Sequence, residues 1–280
     1  MRALVEDIEK VALRAARAAG RIHMSWLHRA KTTRKSNALD LVTEADKEAE
    51  QAVIATIRHA FPDHTILAEE SGASGQASAH RWIIDPLDGT TNFAHGFPAF
   101  CVSIAYEFRG RIVVGVVFDA LRRELFIARR GKGATLNGKI IRVSKAKTLA
   151  TSLLATGFAY DRRERRRFYL CFWEEMMLRV EGIRRAGSAA LDLASVASGR
   201  LDGFWEFGLK PWDVAAGSLL VEEAGGKMTN MDGTPFDIAG AQMLATNSRI
   251  HTEMAKVLRD IRPEAERRHR EQLRAEGRAG

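Results

Sequence analysis

The strongest constraint on the fold lies between residues 99 and 128, where three apolar runs, 99–108, 111–118 and 124–128, follow one another almost without interruption. Short apolar runs bounded by turn residues read as strands, and Arg109-Gly110 joins the first two in the manner of a hairpin. An antiparallel sheet is therefore expected in the middle of the chain. Helical spacing precedes it. Leu4, Ile8, Val11, Ala15, Ala18, Ile22 and Trp26 recur at steps of three and four, the stripe of an amphipathic helix. Thr43 with Asp46 has the spacing of a capping box, and Ala45, Ala49, Ala52, Val53, Ile57 and Ala60 continue a second helix that closes before Pro62. An apolar segment from Thr65 runs into Glu69 and Glu70; after a small-residue loop at 71–79, Trp82-Ile83-Ile84 reads as a buried strand stopping at Asp85-Pro86.

From about residue 152 the rhythm changes to strand and helix in alternation. Strands are expected at 152–155, 201–205 and 242–246, and helices at 163–180, 188–198, 214–224 and 248–261, with Gly225-Gly226 suited to a C-terminal cap. Without an internal repeat or linker, the economical picture is two layered halves, 1–150 and 151–261, followed by a basic tail, 262–280, either helical or disordered.

Composition narrows the class. Hydrophobic residues at 46% and charged ones at 28% fit a globular chain with a substantial core. The longest apolar runs fall far short of the roughly 18 residues that span a bilayer, and the first residues lack the order of a signal peptide, so no membrane partner is expected. Cys101 and Cys171 cannot build a disulfide framework, and no spacing offers a zinc site; a cytoplasmic location fits. They read as small buried hydrophobes. Lysine and arginine exceed the acids by 43 − 35 = 8, which keeps a nucleic-acid partner open. Much of that excess is concentrated in 161–167 and 262–278, where arginine is mixed with acids in the manner of solvated helix faces.

The placement of acids is the chemical signal. Glu69 and Glu70 follow one strand, Asp85 and Asp88 another, and Asp213 follows Trp212 at a helix start, the places where sheets put binding sites. In Asp85-Pro86-Leu87-Asp88-Gly89-Thr90-Thr91, proline fixes the turn, Gly89 lets the backbone approach a ligand, and the amides beyond it can receive an oxyanion. Carboxylates beside an anion cradle require cations between them. Oxygen donors without histidine or thiolate favour Mg²⁺, and two such ions can serve phosphoryl transfer. Singly, each acid has a structural explanation as a turn residue or helix cap; together they do not.

Residues 82–95, WIIDPLDGTTNFAH, resemble the first signature of the inositol monophosphatase family, and Trp212-Asp213-Val214-Ala215-Ala216-Gly217 through Glu223-Ala224-Gly225-Gly226 resemble the second. The order of elements is also similar to about residue 259. The resemblance implies an α/β (α+β) fold, a layered αβαβα sandwich of the inositol monophosphatase/fructose bisphosphatase type. It also implies a Mg²⁺-dependent, lithium-sensitive phosphomonoesterase that forms a homodimer and binds two or three ions. Carried over by motif, Glu69, Asp85 and the Leu87 carbonyl hold one metal, while Asp85, Asp88 and Asp213 hold a second. Glu70 and Thr90 position the attacking water, with Asp46 supporting Thr90, and the amides of Gly89 and Thr90 take phosphate oxygens. Asp88, Gly187, Ser188, Ala189, Glu206 and Asp213 face the substrate, Glu206 standing where inositol-hydrolysing members place a hydroxyl acceptor. Lys35 matches a mobile loop near the metals. His95 is expected to be structural, and Trp82 and Trp212 to shield neighbouring metal ligands. The 158–167 segment replaces a family loop that helps choose substrates, and its arginines match nothing there.

The resemblance favours hydrolysis of inositol monophosphate or a similar small polyol phosphate. The alternatives within the same fold are histidinol phosphate, fructose bisphosphate and nucleotide phosphates. An alternative of another class is an RNA or transcription-complex binding protein, drawn from the basic charge and from some bacterial relatives. No aromatic-interleaved RNA motif or helix-turn-helix pattern supports it.

Overall fold

The computed structural model describes residues 2–29, 32–34, 41–240 and 242–278. Among these, the first half runs α1 (Arg2–Trp26), β1 (Thr32–Arg34), β2 (Leu41–Thr43), α2 (Glu44–Ala60), β3 (Thr65–Ala68), β4 (Gly72–Ser74), β5 (His80–Asp88), α3 (Thr90–Ala94), β6 (Cys101–Phe108), β7 (Arg111–Asp119), β8 (Glu124–Arg129), β9 (Gly133–Leu136) and β10 (Lys139–Ile140). The second half runs β11 (Leu153–Thr156), α4 (Arg166–Met177), β12 (Gly182–Arg184), α5 (Ala189–Ala197), β13 (Gly203–Phe207), α6 (Pro211–Glu223), β14 (Lys227–Thr229), β15 (Gln242–Thr246) and α7 (His251–Ala275).

These elements form five layers. The stripe of α1, with Ile8, Val11, Ala15 and Ala19 buried, packs beside α2 on one face of an eight-stranded sheet ordered β10-β9-β8-β7-β6-β5-β3-β4. On its other face lie α5 and α6, whose second side meets a five-stranded sheet ordered β12-β11-β13-β15-β14. Helices α4 and α7 cover the outside of that smaller sheet through Phe168, Phe172, Met254 and Leu258. The result is the expected αβαβα sandwich. Strand β6 is buried along nearly its whole length because helices cover both faces, so its sequence is almost continuously apolar rather than alternating.

Thr43 caps α2 as its spacing implies: its hydroxyl accepts from the backbone of Ala45 and Asp46, while Asp46 accepts from the Thr43 amide at 2.7 Å. The β6–β7 hairpin turns at Arg109-Gly110, both with positive φ. Other boundaries differ from the sequence reading. Strand β5 does not stop at Asp85-Pro86 but continues to Asp88, because its register with β6 shifts between Asp85 and Asp88 and the missing proline amide falls in that irregularity. Short strands β4, β9 and β10 extend the large sheet where loop residues conceal them. Helix α4 is shorter than expected, and α7 runs through Pro263 to residue 275, so the basic tail continues the closing helix.

Two contacts lock the layers. Gly115 in β7 lies so close to α6 that an added Cβ would stand 2.7 Å from the Ala216 carbonyl oxygen, a backbone atom that cannot swing aside. Gly115→Ala should therefore destabilise the fold by about 1–3 kcal/mol through overpacking, read as a lower urea midpoint; an unchanged midpoint would show that α6 is free to shift.

His23 on α1 is fully buried and donates from Nε2 to the Pro86 carbonyl at 2.8 Å, tying the outer helix to the end of β5. Burial lowers its pKa from 6.5 to about 4, against the weaker raising effect of that hydrogen bond. Between these values the unfolded chain binds a proton that the folded chain refuses. Its contribution to stability is thus complete above about pH 6.5 and is lost as pH falls towards 4, by roughly 3 kcal/mol at ~1.36 kcal/mol per unit. Urea unfolding at a series of pH values should show this loss in the wild type and a flatter profile in His23→Gln. Identical profiles would remove His23 as the cause.

Candidate active site

The candidate residues gather where three elements end at one edge of the large sheet: the C-terminal end of β5 and the N-termini of α5 and α6. Gly89, with φ of 91°, turns the chain from β5 into α3, and a Cβ there would lie 2.6 Å from the Ala99 carbonyl oxygen. Only glycine fits that turn. It brings Thr90 over Asp46: the Thr90 hydroxyl donates to Asp46 Oδ1 at 2.9 Å and lies 3.0 Å from the Leu87 carbonyl. The other Asp46 oxygen, Oδ2, serves the α2 cap, so one carboxylate fixes both the helix start and Thr90. Burial pushes the Asp46 pKa up to about 6; bonds from Thr43 and Thr90 oppose this, and repulsion from Glu70 adds to it. The Glu70 amide donates to Glu50 Oε2 at 2.9 Å, anchoring the end of the β3 connection on α2.

The other acids converge from separate elements. Asp85, 2% exposed, accepts from the Leu87 amide at 3.0 Å. Asp88 Oδ2 accepts from the Ser188 hydroxyl at 2.6 Å and the Ala190 amide at 2.7 Å, both at the start of α5. Asp213, in the first turn of α6, accepts from the Lys210 amide at 2.7 Å. Burial raises the Asp85 pKa well above the ordinary carboxylate range, followed by repulsion from Glu69, Asp88 and Asp213. Asp213 is raised likewise by burial and then by Asp88, with Glu69 and Glu206 adding repulsion. Asp88 is raised by burial against its hydrogen bonds. The carboxylates thus lie near enough for each to feel the others' charge.

Among the described residues, no group of three or more histidine, cysteine, aspartate or glutamate side chains is arranged to hold a metal ion. What fits Mg²⁺ is the chemistry of the donor set, which is all oxygen and mutually repelling, so a divalent cation would relieve the repulsion. Glu69, Asp85, Leu87, Asp88 and Asp213 are the residues available to hold it.

Of the candidates expected to face substrate, Ser188 is bonded to Asp88, and Glu206 lies near enough to Asp88 to feel its charge. Ser188 caps α5 while donating to Asp88, and Asn92 Nδ2 ties the turn after Gly89 to the 186–187 backbone by donating to the Ala186 carbonyl at 2.8 Å. Glu206 is partly buried near the end of β13. Burial pushes its pKa up to about 8, opposed by Arg185 and reinforced by Asp192 and Asp88.

Several residues depart from the sequence reading or were absent from it. Cys101 is buried as expected but lies against the site, its Sγ 4.0 Å from Asp88 Oδ2 and 3.8 Å from Ser188 Oγ. His23, Glu50 and Asn92 support the site through contacts distant in sequence; His23 extends the buried Ala15–Ala19 row of α1 one further turn, the one signal that could have marked it. Trp82 is a core residue whose indole donates to His64 at 3.0 Å, and His95 is exposed at the end of α3. Lys35 lies outside the described residues. The arginine-rich segments face acids: Arg166 pairs with Glu276, Arg267 with Glu264, and Arg268 with Glu174.

The inositol monophosphatase family model matches residues 4–262. The chain is 47% identical over 254 residues to an inositol-1-monophosphatase of Synechocystis, covering 89% of this chain and 88% of that one. It is 45% identical over 252 residues to the Nus factor SuhB of Pseudomonas aeruginosa, covering 88% and 93%. The solved inositol monophosphatase of Anabaena superposes with a TM-score of 0.84 at 47% identity, over 91% of this chain and 96% of that one. More distant solved relatives include an inositol monophosphatase/NADP phosphatase complexed with Mg²⁺ and phosphate, at 26% identity, 91% and 95% coverage and a TM-score of 0.79. A staphylococcal inositol monophosphatase in a lithium chloride-soaked inhibitory complex matches at 27% identity, 90% and 94% coverage and a TM-score of 0.80. The chain belongs to the inositol monophosphatase family and is a phosphomonoester hydrolase.

Proposed function

We propose that the chain hydrolyses inositol monophosphate or a similar small polyol phosphate with the help of Mg²⁺, two or three ions being held by Glu69, Asp85, the Leu87 carbonyl, Asp88 and Asp213. The observation that carries this reading is the set of buried, mutually repelling acids beside the glycine turn and its following amides. Bound Mg²⁺ supplies charge neutralisation to the acids and phosphate oxygens and makes water more acidic. The amides of Gly89 and Thr90 receive phosphate oxygens. Glu70 and Thr90 orient the attacking water. Because the Thr90 hydroxyl donates its hydrogen bond to Asp46, its oxygen keeps lone pairs with which to hold that water. Gly187, Ser188, Ala189 and Glu206 face the organic group, where a polyol offers hydroxyls to the Glu206 carboxyl. Homodimer formation, lithium sensitivity and a cytoplasmic location belong to the same reading; the lithium complex of the staphylococcal relative supports the second.

Phosphate release from a panel of monoesters, with and without Mg²⁺, tests this directly. Activity should require the ion and be best on inositol monophosphate, and Asp213→Asn should lose at least about 100-fold, ~2.7 kcal/mol at ~1.36 kcal/mol per tenfold, while remaining folded. Full turnover by that variant would remove Asp213 from the metal site.

Thr90→Ala should reduce kcat by more than it raises KM, since orientation of the nucleophile is felt in the transition state. A variant with raised KM and wild-type kcat would confine Thr90 to holding phosphate.

A further inference from the structure

Residues 263–275 of α7 lie beyond the segment matched by the family model, yet they are built into the fold. Gln272, only 1% exposed, reaches across to α4: its Oε1 accepts from the Arg167 amide at 3.1 Å, and its Nε2 donates to the Glu164 carbonyl at 2.8 Å. Helix α4 has no side-chain cap of its own at Arg165. Gln272 supplies the acceptor that a local cap residue would provide, satisfying one of the exposed amides of that helix start from a different helix.

The loop leading into α4 has its other end at the candidate site. Gly157 lies directly against Glu206, so that an added Cβ would meet the carboxyl at 2.0 Å, and Ala159 lies against Gly208 beyond the end of β13. Between these ends, Asp161 accepts a hydrogen bond from the Tyr169 hydroxyl at 2.5 Å, and the Phe158 ring is 6.0 Å from that of Trp173. The 157–165 segment therefore lies against Glu206 at one end and is hydrogen-bonded to Gln272 at the other.

Resting on the polyol reading of Glu206, we propose that Gln272 is a positioning residue for substrate selection: by fixing the start of α4 it sets the 157–165 loop against Glu206. It touches no reacting atom. Its influence must then be confined to substrates that use Glu206, whereas a general strut would affect all of them.

The test compares inositol monophosphate with a simple aryl phosphate in wild type, Gln272→Met, Glu206→Ala and the double variant, using the full chain with Mg²⁺. Gln272→Met conserves length and removes both hydrogen bonds to the start of α4, together with the one from Nε2 to Glu276 Oε1. It should raise KM for inositol monophosphate about 3- to 10-fold, the scale of one intramolecular hydrogen bond, with kcat within about twofold and aryl phosphate hydrolysis unchanged. In the Glu206→Ala background the same change should add almost nothing, because the two act through one contact. Gln272→Asn, which keeps the amide but shortens its reach, should give the same pattern at smaller size and guards against a misfolded methionine variant. Equal losses on both substrates, additive losses in the double variant, or wild-type kinetics in both single Gln272 variants would overturn the positioning role. A wild type active on the aryl phosphate but not on inositol monophosphate would overturn the polyol reading and this role with it. A positioning failure leaves wild-type inositol monophosphate turnover intact, which distinguishes the two.

Discussion

Mutual repulsion among buried carboxylates is the constraint around which the molecule is built. Asp85 is buried and Asp88 and Asp213 are half-buried within reach of one another's charge, and the loss of water there disfavours the charged form of each. The protein offsets part of this with backbone and hydroxyl donors: the amides of Leu87, Ala190 and Lys210 and the hydroxyl of Ser188. Two of these partners sit at the N-terminus of α5, and Asp213 lies in the first turn of α6, so both central helices present the positive ends of their dipoles to the acids. The remaining repulsion is what a divalent cation can relieve.

That requirement explains the layering. Helices α5 and α6 must approach the large sheet and each other closely enough for their first turns to reach the end of β5, and small residues permit it: Gly115 of β7 against Ala216 of α6, and Gly217 of α6 against Leu193 of α5. The opposite face of the same sheet is closed by α1 and α2, and both send polar side chains to the site, Glu50 of α2 accepting from the Glu70 amide. His23 reaches the Pro86 carbonyl, and Asp46 reaches Thr90. Both are buried; Asp46 is hydrogen-bonded through both of its oxygens, whereas His23 is bonded through Nε2 and leaves Nδ1 without a hydrogen-bond partner.

Features set by local chemistry were legible in the sequence. The capping box of Thr43 and Asp46, the Arg109-Gly110 hairpin and the acids at strand and helix ends each depend on residues a few positions apart. Features set by partners distant in the chain were not. The passage of β5 through Pro86 depends on a register shift against β6, and the start of α4 depends on Gln272, 105 positions beyond the Arg167 amide that it caps. Cys101 reads as a small apolar residue in an apolar strand, and only the pairing of β6 with Asp88 brings its sulfur to the site. The roles assigned to Glu70, Gly187 and Glu206 rest on motif resemblance rather than on local physics.

The excess of arginine also takes its meaning from distant partners. As a total, the net charge of +8 suits a polyanion-binding surface. In the folded chain, however, Arg166, Arg267 and Arg268 meet glutamates within or across α4 and α7. Exposed pairs of this kind contribute only about 0–1 kcal/mol each to stability, so their main effect is to neutralise charge at the helix pair and fix its register. A phosphate backbone would have to compete with those carboxylates for the same guanidinium groups. The arginine-rich segments therefore argue for a built contact between two helices, and the charge total carries little weight for nucleic-acid binding.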